Sequence, residues 1–385
     1  MKKVFNTIKD MDRVILFISI GLFIFGLFNI LTASSQASVL RYNASLYKYF
    51  IKQLEFLSMG LFATFFILSV PTKKYHFLGK IAFYGVLFLC VLVIFKGNNY
   101  SGNQNWISIL GFSLQPSEFA KPVLILYLAI LFEKYYKQLR NKNVPHANMI
   151  AHIVFVCIIF PTLIIFTQHD LGTGIIVTCI AGLLFLASPI MRREKTATVG
   201  LMGIVVIIMG LIYIFGSKSV LSNSQSSRLD FFDPCSKYEN GGYQICNGFI
   251  AINSGGLFGV GIGESRQKSY IPESHTDSVF AIVAEEYGLI VTTIIFFLYI
   301  VLLYRILHLS SVVGTIRGKY ICYGVAIYMF LHIFVNLGGL FGSMPLTGVP
   351  LPYLSYGGSF TISFMIALAL VQRVHVEYKN EKIKI

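Results

Sequence analysis

The stretch VFAIVAEEYGLIVTTIIFFLYIVLLY, residues 279–304, decides the class of this protein. It is predominantly apolar and longer than the roughly 20 residues that an α-helix needs to cross a hydrocarbon layer about 30 Å thick. Its apolar residues run continuously and do not alternate, which is typical of a membrane helix and not of a barrel strand. The stretch therefore predicts a transmembrane helix.

The rest of the chain has the same character. Apolar residues make up 55% of the 385 residues and charged residues only 12%, whereas a soluble domain carries about 25% charged residues. We predict an all-α polytopic membrane protein with about ten transmembrane helices, at residues 14–34, 53–70, 79–95, 119–132, 149–167, 171–189, 198–215, 279–304, 320–340 and 357–372.

The net charge of +14 does not indicate a nucleic-acid partner, because the basic residues concentrate in the segments on one side of the predicted membrane spans. If the N-terminus is cytoplasmic, the six inner segments hold 21 of the 31 Lys and Arg residues, and the other 10 are spread over the rest of the chain. This is the positive-inside pattern. It predicts cytoplasmic N- and C-termini, with the basic residues meeting anionic lipid headgroups.

The organisation predicts one integral-membrane domain, 1–385, with a large extracytoplasmic loop, 216–278, between spans seven and eight. The second half of this loop is glycine-rich and apolar (GFIAINSGGLFGVGIGES, 248–265). We expect it to dip into the membrane, where non-helical backbone must line a protein cavity. Its GVGIG run precedes no βαβ unit, so we interpret it as tight turns or close backbone packing. Polar, Gly/Pro-rich segments gather on the outer face, and we expect any chemistry there.

Asp277 is the first candidate in this region. Ser274-His275-Thr276-Asp277 fits a capping box, which would make Asp277 a helix-capping residue. Alternatively, Asp277 is part of a ligand site, because the helix face below it carries small residues that leave room for a ligand near the outer surface of the membrane. Glu285 and Glu286 lie deeper in the same span, where ionisable groups are by default functional or paired.

Other candidates have equally plain alternatives. Lys121 either pairs with Glu118, three residues before it, or faces an anionic lipid headgroup. Asp170 is either the N-cap of a turn between two spans or part of a site. Arg266 and Lys268 are either solvated or bind phosphate. Cys235 and Cys246 lie in the outer loop, whose setting permits a disulfide but does not require one.

Six motifs together resemble one family, the SEDS family of bacterial wall-synthesis proteins typified by FtsW, RodA and SpoVE. The resemblance spans nearly the whole chain. The run before Lys268 is closer to the FtsW branch, although the last motif leans towards RodA. The motifs are NWI (105–107), QPSEFAK (115–121), QHDLGTG (168–174), GGLFGVGIGESRQK (255–268), PESHTDSVFAIVAEEYG (272–288) and PLPYLSYGGS (350–359).

The resemblance implies a peptidoglycan glycosyltransferase that polymerises lipid II together with a class B penicillin-binding protein and other divisome or elongasome proteins. It implies that Asp277 is catalytic. A hydroxyl is a poor nucleophile and needs a base, whereas a lipid diphosphate needs only charge stabilisation to leave. We predict as substrate-binding residues Gln115, Ser117, Glu118, Lys121, Asp170, Arg266, Lys268, His275 and Ser355, of which Lys121, Arg266 and Lys268 are candidate phosphate partners.

Three questions stay open at this level. A divalent cation, Mg²⁺ or Mn²⁺, held by a carboxylate such as Glu118 is one source of charge stabilisation. Asn105 stands where the family often has Arg, so the basic contact expected at that position would have to come from another Lys or Arg. His169 stands where the family often has Pro. The alternatives to a polymerase are a lipid II flippase, which should carry polar groups at the membrane midplane, and a scaffold that only recruits the partner enzyme.

Overall fold

Helices dominate the computed structural model of this chain. The structure describes residues 7–36, 45–100, 103–109, 112–141, 146–168, 170–200, 233–236, 238 and 242–382. Most of the seventh predicted span, 198–215, and the first part of the large outer loop lie outside these residues, as does His169. Every other predicted span contains a helix, and the all-α prediction is confirmed.

The elements follow the predicted spans closely. In chain order they are α1 (Arg13–Gln36), α2 (Lys48–Ser69), α3 (Tyr75–Lys96), β1 (Asn98–Tyr100), β2 (Asn103–Ile109), β3 (Phe112–Leu114), α4 (Pro116–Leu139), α5 (Ala147–Thr162), α6 (Leu171–Ala187), α7 (Tyr243–Gly255), α8 (Val279–Val312), α9 (Ile316–Leu340) and α10 (Gly358–Lys382). A π-helical turn, Leu163–Thr167, continues α5.

Seven of the helices in the described ranges are long and apolar enough to cross a membrane, namely α1, α2, α3, α5, α8, α9 and α10. Large apolar side chains on α2, α3 and α8 are exposed on the surface of the protein, among them Phe62 (76%), Phe95 (80%) and Phe297 (61%). Such a surface would be costly in water but is at home in hydrocarbon. These helices therefore form the lipid-facing layer.

Helix α4 lies in the centre of the molecule. It packs against α3, α6, α9 and α10, and almost all of its residues from Pro116 to Phe132 are buried. Pro116 occupies its first turn, where a missing N–H costs nothing, and Glu118 follows where the helix dipole favours an acid. Because α4 touches protein on every side, it can carry ionisable residues that a lipid-facing helix could not.

The outer segment before α4 is a small sheet. Strands β1, β2 and β3 pair in sequence order, and both pairs are antiparallel. Ile107 faces Leu114 across the second pair, and Ile107 is buried. The sheet therefore forms a folded outer connection that leads directly into α4.

Helix α8 is broken at Gly288, where φ is +76° and ψ is −177°. The glycine-rich loop 256–263 fills the break. Val260 and Gly261 donate their N–H groups to the carbonyls of Glu285 and Glu286, and Leu289 donates to the carbonyl of Gly256. The interpretation of GVGIG as close backbone packing is confirmed. The first part of the glycine-rich segment 248–265 is helical and belongs to α7.

The two ends of the described chain lie at the same end of the helix bundle. Lys379 Nζ on α10 lies 2.8 Å from Asp10 Oδ1, and Arg305 Nε on α8 lies 2.7 Å from Asp12 Oδ2. These charges come from segments predicted to be cytoplasmic. Their pairing agrees with an arrangement in which both termini are on one side of the membrane.

Candidate active site

The stretch that carries Asp277 is a turn and not the start of a helix. Residues 272–278 form successive turns, and α8 begins at Val279 with Ser278 as the residue before it. Ser274 is buried and its Oγ donates to the carbonyl of Ala33 on α1, at 3.0 Å. The capping-box prediction is therefore wrong, because the Ser274 hydroxyl anchors the turn to α1 and does not cap α8.

Asp277 is half-buried and is held from two sides. The side-chain amide of Gln244, on α7, donates to Asp277 Oδ1 at 3.1 Å, and the hydroxyl of Thr276 lies 3.4 Å from the same oxygen. The side-chain amide of Asn336, on α9, donates to the backbone carbonyl of Asp277 at 2.8 Å. The carboxylate and the backbone of one residue are thus positioned by two different helices.

The segment PLPYLSYGGS packs against this turn. Tyr356 N–H donates to the carbonyl of His275 at 2.8 Å, and the Ser355 hydroxyl donates to the carbonyl of Thr276. His275 is buried, and its ring lies 4.3 Å from that of Tyr49 and 5.5 Å from that of Tyr356, centroid to centroid. The predicted site residues Ser355, His275 and Asp277 are therefore brought together.

The phenol of Tyr356 is neutral at this site. Burial raises the pKa of Tyr356 to about 12, and the nearby carboxylates of Glu55 and Glu273 act in the same direction. The phenol therefore keeps its proton at any physiological pH.

Two residues beside the site have unusual backbone conformations. Glu273 has φ +52° and Tyr353 has φ +68°, both in the left-handed region that non-glycine residues seldom occupy. One lies in the turn before Asp277 and the other in the segment that packs against it. Such residues cluster at functional sites, where the surrounding structure holds them.

Lys121 and Glu118 form a second cluster inside the bundle. Lys121 is 1% exposed, and its Nζ lies 2.7 and 2.8 Å from the two Glu118 oxygens and 3.1 Å from His332 Nε2. His332 Nδ1 faces the carbonyl of Pro350 at 3.0 Å. The ion-pair alternative is confirmed, and Lys121 does not face a lipid headgroup in this structure.

Asp170 joins a third set of predicted residues. Its Oδ1 accepts the N–H of Thr173 at 3.0 Å, so it is the N-cap of α6. Its Oδ2 accepts from Gln115 Nε2 at 2.7 Å and from Asn105 Nδ2 at 3.1 Å. Asn105, which stands where the family often has Arg, therefore binds the acid directly. Ser117 is fully buried next to Glu118 in sequence, and its Oγ has no partner among the described residues.

Arg266 and Lys268 differ in accessibility. Arg266 is exposed, whereas Lys268 is mostly buried and its Nζ donates to the carbonyl of Gly263. Glu285 holds this segment in place, since it accepts the N–H groups of Arg266 and Gln267 at 3.1 and 3.2 Å. Of these two outer cations, Arg266 is thus the one that is open to a ligand.

Cys235 and Cys246 form a disulfide, with Cα atoms 5.0 Å apart. The bond joins the described part of the outer loop to the first turn of α7.

The described residues contain no group of three or more His, Cys, Asp or Glu side chains arranged to hold a metal ion. Both oxygens of Glu118, the predicted carboxylate for a cation, are engaged by Lys121.

Three polar residues at the site were not among the predicted ones. His332 and Asn336 lie in the predicted span 320–340, and a buried polar residue in a membrane helix is a signal that sequence reasoning had available. They are four residues apart, on one face of α9. Gln244 is in α7, but the sequence places it in the polar outer loop 216–278, where nothing distinguishes its side chain from the other polar ones.

Comparisons with known proteins agree along the whole chain. A family model described as "Cell cycle protein", FtsW/RodA/SpoVE, matches residues 12–380. The chain is similar to the "Probable peptidoglycan glycosyltransferase FtsW" of Bacillus subtilis, at 32% identity over 98% of this chain and 94% of the relative. It is similar to "Stage V sporulation protein E" of the same organism, at 32% identity over 94% and 96%.

Solved structures agree at the level of the fold. A chain described under "Structural coordination of polymerization and crosslinking by a peptidoglycan synthase complex" has a TM-score of 0.73 and 24% identity, over 96% of this chain and 98% of that one. The rod shape determining protein RodA of Thermus thermophilus has a TM-score of 0.67 and 23% identity, over 96% and 97%.

Proposed function

The chain is an FtsW-like member of the FtsW/RodA/SpoVE family and a peptidoglycan glycosyltransferase of cell-wall synthesis, and from that premise we propose that it polymerises lipid II with Asp277 as the general base. The observation that carries this proposal is the double anchoring of Asp277. Gln244 binds its carboxylate and Asn336 binds its backbone, at the outer end of α8.

The proposed reaction requires one carboxylate, held in a fixed position, as the general base. An acceptor sugar hydroxyl attacks the anomeric carbon of the donor sugar, a C–O bond forms, and the bond from that carbon to the diphosphate oxygen breaks. Asp277 takes the hydroxyl proton, and the lipid diphosphate leaves with the electron pair. Proton transfer to a positioned base contributes typically 10²- to 10⁴-fold to the rate of such a reaction.

The departing diphosphate is stabilised by cations at the outer face. Arg266 is the candidate best placed for direct contact, because its side chain is exposed and its backbone is fixed by Glu285. Lys121 acts differently in this proposal. It holds Glu118 and His332, and His332 in turn faces the Pro350 carbonyl in the segment that packs against Asp277. Lys121 is therefore a positioning residue for that segment.

The partner and the orientation belong to the same proposal. A class B penicillin-binding protein crosslinks the strands that this chain makes, within a divisome or elongasome assembly. The chain lies in the bacterial cytoplasmic membrane with both termini in the cytoplasm and Asp277 on the extracytoplasmic side. The positive-inside pattern supports this orientation, as does the contact between Lys379 and Asp10.

The test is polymerisation by the purified protein with its penicillin-binding partner and labelled lipid II, read as glycan chains on a gel. Asp277→Asn keeps the shape of the side chain and removes the base, so we expect polymer to fall at least about 100-fold. The matched control is Glu264→Gln, which neutralises an exposed outer acid and should keep full activity.

Each alternative function predicts a different result. Full polymer from a folded Asp277→Asn protein would show that Asp277 is not the base. Movement of labelled lipid II across vesicles without any polymer from the wild-type protein would identify a flippase. Polymer that depends on the partner alone, with or without this chain's Asp277, would identify a scaffold.

A further inference from the structure

Gln244 binds the catalytic turn at three points. It is the second residue of α7, and its Nε2 lies 2.9 Å from Ser278 Oγ, 3.1 Å from Asp277 Oδ1 and 3.3 Å from the carbonyl of Pro272. An amide nitrogen has two hydrogens, so the three acceptors share them. The side chain thus lies where both ends of the turn 272–278 and the carboxylate of Asp277 converge.

We infer that Gln244 is a positioning residue for this reaction: its amide orients the carboxylate of Asp277 towards the acceptor hydroxyl without itself touching the substrate. The inference rests on the proposed role of Asp277 as the base. A hydrogen bond to a charged acceptor is about twice as strong as one between neutral groups, so this contact restrains the carboxylate firmly. Proton transfer needs the base within hydrogen-bond reach of its target, which makes that restraint part of the rate.

The helix that carries Gln244 is itself held in two ways. Cys246, two residues on, is bonded to Cys235, which ties the first turn of α7 to the outer loop. The far end of α7 lies against α8 at Gly255, where an added Cβ would come within 2.0 Å of the Ala284 carbonyl oxygen. A helix fixed at both ends keeps the Gln244 amide at a constant distance from Asp277.

Gln244 could instead be needed only to fill the space between α7 and the turn. The two roles differ in what they ask of the side chain. A space-filling role requires only the shape of the Gln side chain, and Glu has the same shape. Orientation asks for N–H donors, which an ionised Glu lacks, and a Glu there would set a second carboxylate against Asp277, a destabilising arrangement. Wild-type kcat in Gln244→Glu would therefore exclude the orienting role.

The experiment measures kcat and KM for labelled lipid II, using full-length protein with its penicillin-binding partner. Gln244→Ala and Gln244→Glu are compared with Asn253→Ala, which removes an exposed amide of the same helix. We expect both Gln244 variants to lower kcat roughly 10- to 100-fold, because displacing a reacting group by about 1 Å costs up to about 100-fold. KM should stay within about twofold, since uniform substrate binding is unchanged. Asn253→Ala should match the wild type.

Several results would overturn the inference. Gln244→Glu with wild-type kcat would show that only shape matters, and a raised KM with unchanged kcat would show a substrate contact. Melting temperatures are measured for all variants, and loss of the melting transition in both Gln244 variants would make the residue purely structural. Asp277→Asn is assayed beside them. If it stays active, the proposed function fails; if it is inactive while Gln244→Ala and Gln244→Glu keep kcat, only this inference fails.

Discussion

Lys121 shows how one residue connects the interior of the bundle to the site. Its ammonium group has three hydrogens, and the structure offers three acceptors: both oxygens of Glu118 and Nε2 of His332. The rings of Tyr328 and Phe360 lie 5.6 and 5.9 Å away, so aromatic faces cover the remaining side. A charge so deeply buried is stable only while its partners are present.

We therefore expect Lys121→Met to destabilise the protein. The change leaves Glu118 buried without its cation, and breaking a buried pair in this way costs about 3–5 kcal/mol. The measurement is the melting temperature in detergent. Lys319→Met, at an exposed lysine near the start of α9, is the control and should change it little.

The double variant Glu118→Gln/Lys121→Met sharpens this test. Removing both charges takes away the unpaired acid, so the double variant should melt at a higher temperature than Lys121→Met alone. A single Lys121→Met protein that melts like the wild type would contradict the importance of the pair.

The sequence predicts the contacts of some site residues correctly and those of others wrongly. The spacing of Glu118 and Lys121 predicts either an ion pair or a lysine that faces a lipid headgroup, and the structure shows the ion pair. For Asp170 the sequence leaves an N-cap and a site residue as alternatives, and the structure shows that it is the N-cap of α6. The spacing of Ser274 and Asp277 predicted a cap that does not form, because the hydroxyl of Ser274 finds an acceptor on α1, and a local pattern has no access to such a distant partner.

At the scale of the element, α8 is the most informative helix. Its first part, Val279–Tyr287, carries Glu285 and Glu286, and the break at Gly288 exposes backbone groups that the loop 256–263 satisfies. Inside a membrane such groups must find protein partners. The glycine-rich loop therefore supplies the backbone hydrogen bonds that α8 lacks at its break. These bonds also fix the first part of α8, which follows Asp277.

Gly288→Ala should disrupt this arrangement. The backbone of Gly288 lies in a region that is essentially restricted to glycine, and an added Cβ would lie 2.4 Å from the nitrogen of Gly259. We expect a lower melting temperature and a loss of activity, with a backbone cost of about 1–3 kcal/mol before any clash. The control is Gly182→Ala in α6, where a Cβ meets nothing within 4 Å and helix propensity is improved. Equal melting of both variants would count against the role of the break.

At the scale of the whole molecule, one large apolar core runs through the described part of the bundle, beside a small second cluster of Met11, Leu68 and Val376. Buried residues of α1 and of every helix from α3 to α10 belong to the large core. It includes Ala251 of α7 and Ile271 in the loop after α7. We propose on this basis that 1–385 is one integral-membrane domain and that the outer loop 216–278 is part of it. The described half of that loop packs on α8, and so belongs to the same body.

The orientation of this domain can be tested by labelling. In intact spheroplasts, a membrane-impermeant maleimide should react with Glu264→Cys, at an exposed position proposed to be extracytoplasmic, and not with Lys319→Cys, at an exposed position proposed to be cytoplasmic. The parent chain provides the background, because its described free cysteines are Cys90, Cys157 and Cys322, which are buried, and Cys179, which is partly so. Labelling of Lys319→Cys but not Glu264→Cys would reverse the proposed orientation.

The sequence by itself determined the class and the approximate span positions of this protein, because hydropathy is a local property of the chain. The placement of Lys and Arg predicts the orientation. It also led to Asp277 through its motif. Only the tertiary structure decided what surrounds Asp277. Gln244, Asn336 and Ser355 come from three distant segments and meet at one turn, and the acceptors that buried polar groups choose depend on how the helices pack and not on their neighbours in sequence.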